Sequence, residues 1–130
     1  MFQWLSSMFK PASDKVEETL LELFDFLISD YGFEYKKEML GDAIDKGGKF
    51  FFCGPLNAYQ FYNENVCIHI LHLVQRDDYD VYITDKKSVD QVYIRNGIEV
   101  PSRFAYHFPL LAREVKESVL NCGKVFGHSI

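Results

Sequence analysis

The side chains best suited to chemistry lie in one short segment, at Cys67, His69 and His72. Cysteine and histidine can form nucleophile–base pairs or bind metals when their side chains share a face. On a helix, a spacing of three would bring His69 and His72 together. The run Val66–Gln75 predicts a strand instead, which sends these two rings to opposite faces. Cys67 and His69 would share a face, as in the pocket of a small-ligand enzyme or sensor.

The preferred interpretation of this pair is structural, a buried thiol beside a hydrogen-bonded histidine in a central strand. His107 and His128 lie in no recognisable motif. The chain has no CxxC pair, and the acidic group around Asp77, Asp78 and Asp80 lacks EF-hand spacing. Phosphate-loop and GxSxG patterns are also missing. We therefore predict a protein that is not an enzyme, with no catalytic residues, no metal and no cofactor.

The first element that could position these residues is a helix over 14–31. Asp14 is a candidate N-cap, Glu17 completes a capping-box pattern, and Gly32 is suited to end the helix. Apolar residues recur at helical spacing and predict one buried face. They are Val16, Leu20, Leu23, Phe24, Leu27 and Ile28.

The middle of the chain predicts strands, because the apolar period changes from 3.6 to 2. The candidate strands are Phe33–Lys36, Lys49–Cys53, Asn57–Asn63, Val66–Gln75, Tyr79–Thr84, Asp90–Arg95 and Ile98–Val100, with Gly41–Gly48 as a loop and Asn96–Gly97 as a hairpin turn. Val66–Gln75 is apolar on both faces, so it should be central. Tyr79–Thr84 alternates and predicts a strand exposed on one face.

A second helix is predicted after Pro109, which suits a first helical turn, and should end at Gly123. Its apolar stripe is Leu111, Ala112, Val115, Val119 and Cys122. The tail Lys124–Ile130 would either fray or pack Val125 and Phe126. Helices set apart from a run of strands predict one α+β domain over 1–130: an N-terminal helix, an antiparallel meander of about five strands and a C-terminal helix.

The charge of the 130-residue chain is unevenly distributed. The net charge is −5, yet residues 1–45 contain ten acidic and four basic side chains. Phosphate binding needs clustered Lys and Arg, and the sequence has no such cluster, so nucleic acid is not expected as a partner. A basic protein surface would match this acidity, because complementary fields favour encounter. The alternative is that the acidity only aids solubility.

Several features predict a cytoplasmic protein that does not enter a membrane. Three widely spaced cysteines fit a reducing compartment. The N-terminal segment lacks the pattern of a signal peptide. No apolar run approaches the roughly 20 residues that span a bilayer.

The predicted surface combines carboxylates with tyrosines, which are common at protein interfaces. Tyr59 and Tyr79 are expected to lie beside Tyr82 on an outward face of the meander, unless the rings cover the core. The candidate partner-binding residues are Glu17, Glu18, Glu22, Asp25, Asp77, Asp78, Asp80, Tyr82, Asp85 and Tyr93.

The stretch Gly54–Tyr62, leading into the strands Val66–Gln75 and Tyr79–Thr84, resembles bacterial toxin immunity proteins, including those of contact-dependent growth-inhibition systems. The similarity extends to size, acidity and helices at both ends. The resemblance implies a cytoplasmic inhibitor that binds a cognate toxin domain and blocks its active site. Such toxins are often basic nucleases, which would suit this charge.

A second interpretation is an acidic secretion chaperone that binds an effector protein. Such chaperones are also small α+β proteins and usually dimeric, and they keep an exposed apolar patch for the client. The segment Phe2–Phe9 could contribute to that patch.

Overall fold

The computed structural model describes residues 12–40, 56–74, 78–85, 98–99 and 106–130. The helices are α1 (Ala12–Leu23), α2 (Asp25–Tyr31) and α3 (Phe108–Cys122). The strands are β1 (Glu34–Leu40), β2 (Leu56–Tyr62), β3 (Cys67–Leu73), β4 (Asp78–Thr84), β5 (Ile98–Glu99), β6 (Lys124–Val125) and β7 (His128–Ser129). The predicted mixed α+β class is confirmed. None of the described helices is both long and apolar enough to cross a membrane.

The predicted first helix is present but is divided in two. The helix already begins at Ala12, so the prediction that Asp14 caps it is wrong. Phe24 separates α1 from α2, because its carbonyl accepts a hydrogen bond from Leu27, only three residues ahead. All six predicted apolar residues reach the core, with Leu20, Phe24 and Leu27 fully buried and the others partly buried.

Both predicted helix ends are confirmed. Gly32 follows α2 with φ +70°, and Gly123 follows α3 with φ +66°. This left-handed conformation is accessible to glycine without the clash that a Cβ atom introduces. The amide of Gly123 donates to the carbonyl of Val119 over 2.8 Å. The residues of the predicted apolar stripe of α3 are buried, except Cys122, which is exposed.

The sheet is antiparallel, and described strands that follow one another along the chain are neighbours in space. Its order is β1-β2-β3-β4, with the two residues of β5 paired to the outer edge of β4. All seven residues of β3 face partners in both β2 and β4. The prediction that this strand is central is therefore confirmed.

One face of the sheet packs against the helices. Its buried residues are Tyr59, Phe61, Ile68, Ile70, Val81 and Ile83, and they form one cluster with Leu20, Phe24 and Leu27 and with α3 residues Leu111, Val115 and Val119. Phe24 and Phe61 join helix to strand, with ring centroids 5.1 Å apart. We call this the helix-packed face.

The central part of the opposite face of the sheet is also buried. In β3 it includes Cys67, His69 and Leu71, and in β4 it includes Tyr82 and Thr84. The prediction that Tyr79–Thr84 is exposed on one face is thus wrong for its second half, because Thr84 and Tyr82 have lost nearly all contact with solvent. Alternation of residue types identified the two faces, but burial depends on what covers each face.

The C-terminal tail forms a small hairpin instead of fraying. Strands β6 and β7 are antiparallel and are joined by Phe126 and Gly127. Both joining residues have positive φ, +47° and +87°, as a two-residue type I′ turn requires. Val125 is fully buried in the core, as the packing alternative predicted.

Several predicted elements lie outside the described residues. They are Gly41–Gly48, Lys49–Cys53, Asp90–Arg95, Asn96–Gly97 and Phe2–Phe9.

Candidate partner-binding surface

Cys67 and His69 share a face, as predicted, and both are buried. The Sγ atom of Cys67 is 3.8 Å from Nδ1 of His69, whose Nε2 is 3.3 Å from the hydroxyl oxygen of Thr84. The ring thus bridges two neighbouring strands within the sheet. His72 lies on the other face, where its ring stacks on Tyr79 at 4.4 Å between centroids.

The environment of His69 disfavours nucleophilic chemistry. Burial lowers the pKa of its imidazole to about 4, because desolvation penalises the charged form. A reactive cysteine needs a nearby positive charge to stabilise its thiolate. The neutral imidazole of His69 supplies no such charge and, with its low pKa, is a poor base for the thiol, so the pair itself favours a structural thiol and a structural histidine.

The predicted acidic residues of α1 and α2 fall into two groups. Glu18, Glu22 and Asp25 are exposed to solvent. Asp30, which the prediction omitted, is also exposed and belongs to the same two helices. Residues 12–31 contain six carboxylates and a single base, Lys15. We call Glu18, Glu22, Asp25 and Asp30 the acidic helix surface.

Glu17 has a different role. Its carboxylate accepts a 2.6 Å hydrogen bond from the hydroxyl of Tyr35 and lies 3.8 Å from the ammonium of Lys37. Lys37 in turn lies over the ring of Tyr59, 5.8 Å from its centroid. Glu17 therefore joins α1 to β1, and a partner would have to compete with these contacts.

The acidic residues of β4 do not form a single cluster. Asp78, at the start of the strand, accepts a 3.0 Å hydrogen bond from Tyr106, whose pKa this bond raises. Asp80 is half-buried on the same face. Asp85 follows the far end of the strand, about 23 Å from Asp78 at the usual rise per residue. There, Asp85 contacts Nδ1 of His128 in the C-terminal hairpin.

The predicted tyrosine platform is not present as a single face. Tyr82 is only 8% exposed, so its ring offers little area to a partner. Tyr59 and Tyr79 belong to the helix-packed face, opposite to Tyr82. Asp77 and Tyr93 lie outside the described residues.

No local sequence pattern distinguishes the acidic residues of the acidic helix surface from those that make contacts with other elements of the fold. Asp30 could have been found from its helical position near Asp25. The contacts of Glu17 and Asp85 join residues 18 and 43 positions apart, and no short pattern encodes such pairs.

The most exposed large hydrophobic residues in the described part of the chain are Tyr31, Met39, Val74, Tyr106 and Leu120. They belong to five different segments of the sequence. The described residues also contain no group of three or more His, Cys, Asp or Glu side chains placed to hold a metal ion.

Comparison of the chain with protein-family models, with curated proteins and with solved structures gives no match.

Proposed function

We propose that this protein is an immunity-type inhibitor that binds a basic toxin domain through the acidic helix surface and blocks its active site. The observation that carries the proposal is the exposure of Glu18, Glu22, Asp25 and Asp30 on two helices that contain one base. As part of the same proposal, the protein is cytoplasmic and is not an enzyme. Its proposed architecture is a meander of about five strands between an N-terminal and a C-terminal helix.

The acidic residues of α1 slightly destabilise this helix, which supports a role for them in binding a partner instead of in folding. Glu18 and Glu22 are four residues apart on α1, where like charges repel across one helical turn. Glu22 also lies in the last turn of α1, and neither α1 nor α2 has a basic residue in its last turn. Acidic side chains at this end oppose the helix dipole. Each effect destabilises the free helix by a few tenths of a kcal/mol, and a basic partner would relieve both.

Several of the other candidates have contacts within the fold or are buried. Glu17, Asp78 and Asp85 each hold an internal contact, and Tyr82 is buried. The resemblance to immunity proteins supports the proposal that the partner is a toxin. The acidic helix surface supports the proposal that this partner is basic.

The proposal predicts that a toxin domain is encoded beside this gene, and the decisive experiment is a binding measurement against that domain. We expect a dissociation constant of about 1 nM or less at low salt, and clear weakening at higher ionic strength. Co-expression should protect cells from that toxin. If the purified protein neither binds the neighbouring toxin domain nor protects cells, the immunity proposal is wrong.

A further inference from the structure

A cavity of about 490 Å³ lies beside the start of α3. Among the described residues, its walls are formed by His107, Pro109, Leu110 and Arg113. This volume is within the range of pockets that hold small organic molecules, which combine apolar walls with a few polar groups. The cavity is formed by residues different from those of the acidic helix surface.

The apolar and polar parts of the wall have distinct roles. Pro109 and Leu110 supply apolar area, and Leu110 also packs against the core, which fixes its position. Arg113 lies one helical turn beyond Pro109 and is exposed. Its guanidinium is permanently charged and presents a planar set of donors that matches a carboxylate. The exposed ring of His107 can donate a hydrogen bond in either charge state.

Among the described residues that line the cavity, the charges favour an anion. Its described wall contains no carboxylate, and the first turn of α3 contains no acidic residue. Glu114 follows Arg113 in sequence but is not among the described lining residues. Asp78 contacts the neighbouring segment, where it accepts the hydrogen bond from Tyr106.

We propose that this cavity binds an organic carboxylate with an apolar body. The guanidinium of Arg113 pairs with the carboxylate, His107 donates to it, and Pro109 and Leu110 contact the apolar body. This site does not depend on the immunity function, because it uses none of the residues proposed to bind a toxin.

The test compares two probes of nearly the same shape, 3-phenylpropionate and its neutral amide, 3-phenylpropanamide, which differ in charge and in the replacement of one acceptor oxygen by a donor NH2 group. In a titration followed by ¹⁵N NMR, the acid should shift the amide signals of Leu110 and Arg113. It should bind at least about ten-fold more tightly than the amide, the ratio expected for one charge-assisted contact. Arg113→Gln should abolish this preference. The matched control, Lys15→Gln on the exposed surface of α1, should leave it unchanged.

A third probe, a peptide whose C-terminal residue is phenylalanine, distinguishes two sources of the carboxylate, a small molecule and the C-terminus of a protein. Binding of the free acid with exclusion of the peptide assigns a small molecule, whereas tighter binding of the peptide assigns the C-terminus of a protein. The proposal is overturned by equal binding of acid and amide, by shifts away from the start of α3, or by no shift at millimolar probe. It is also overturned if Arg113→Gln keeps the preference for the acid.

Discussion

The hydroxyl of Tyr35 on β1 donates a 2.6 Å hydrogen bond to the carboxylate of Glu17 on α1. The bond is partly buried and joins the first helix to the edge of the sheet, beside the Glu17–Lys37 contact. Burial, followed by this bond, raises the pKa of Tyr35 well above its ordinary value. A residue predicted to meet a partner is thus part of the fold, and the pair offers the most direct test of how α1 is attached.

Tyr35→Phe should destabilise the protein by about 1–2 kcal/mol, because a hydrogen bond to a charged acceptor is lost while the ring remains. Urea unfolding measures the change. Tyr31→Phe is the matched control, since Tyr31 is exposed on α2, and it should change stability by less than about 0.5 kcal/mol. The stability difference between wild type and Tyr35→Phe should also shrink as the pH rises above about 10. In that range Tyr35 ionises in the unfolded chain, whereas its raised pKa keeps it neutral in the folded protein, so ionisation favours unfolding of the wild type. Equal stability of the two proteins at neutral pH would contradict the assigned role.

His69 should make the protein less stable in acid. Its folded pKa is about 4 against 6.5 for the free side chain, so the unfolded chain takes up a proton that the folded protein does not. Stability should therefore fall by about 3 kcal/mol as the pH drops from 6.5 to 4.

Two variants isolate this contribution. His69→Gln should remove it from the pH dependence, whereas His107→Gln, at an exposed position, should retain it. NMR titration provides the direct measurement, and a His69 ring that titrates near 6.5 would show that burial does not control it.

Charge reversal should separate binding from folding on the acidic helix surface. Glu18→Lys and Glu22→Lys should each weaken the complex with a basic toxin domain by about ten-fold at low salt, with a smaller effect at high salt. The control is Glu117→Lys, an exposed acidic residue on α3. Calorimetric titration at two salt concentrations gives the comparison. A similar loss from all three variants would point to net charge instead of a localised surface.

The contact between Asp85 and His128 should hold the C-terminal hairpin in place. His128 is buried, and among the described residues its buried Nε2 atom has no hydrogen-bond partner, so Nδ1 makes the polar contact of the ring. Asp85→Asn should weaken the contact by about 1 kcal/mol and speed amide exchange in the hairpin five- to ten-fold. Asp30→Asn, on the acidic helix surface, should leave this exchange unaltered. Unchanged exchange in Asp85→Asn would mean that other contacts, such as the packing of Val125 and the hydrogen bond from Ser118 to the carbonyl of Lys124, anchor the tail.

The elements that the sequence predicted well depend on local physics. Gly32 and Gly123 end their helices because only a residue without Cβ adopts positive φ freely. The strand β3 is central, as the apolar character of both faces of its segment predicted. In each case the responsible residues are neighbours in sequence, so their pattern contains the information.

The features that the sequence did not predict depend on distant contacts. Asp14 had the right side chain for a cap, but α1 begins two residues earlier, at Ala12. Tyr82 alternates with apolar neighbours as an exposed residue would, yet its face of the sheet is buried. The Phe24 interruption does not disturb the helical spacing of the apolar residues. Glu17 and Asp85 were correctly identified as acidic, but their partners come from other elements.

The strand order has a consequence for how the chain folds during synthesis. β2, β3 and β4 pair only with sequence neighbours within this set, so little loop entropy opposes their early association. The apolar residues Leu111, Val115 and Val119, which cover part of the same sheet, are translated later. For the few seconds of translation that separate Thr84 from Cys122, a nascent sheet would therefore present Ile68, Ile70 and Val81 without this cover. During that interval these apolar residues would be open to aggregation, and a chaperone would protect the polypeptide.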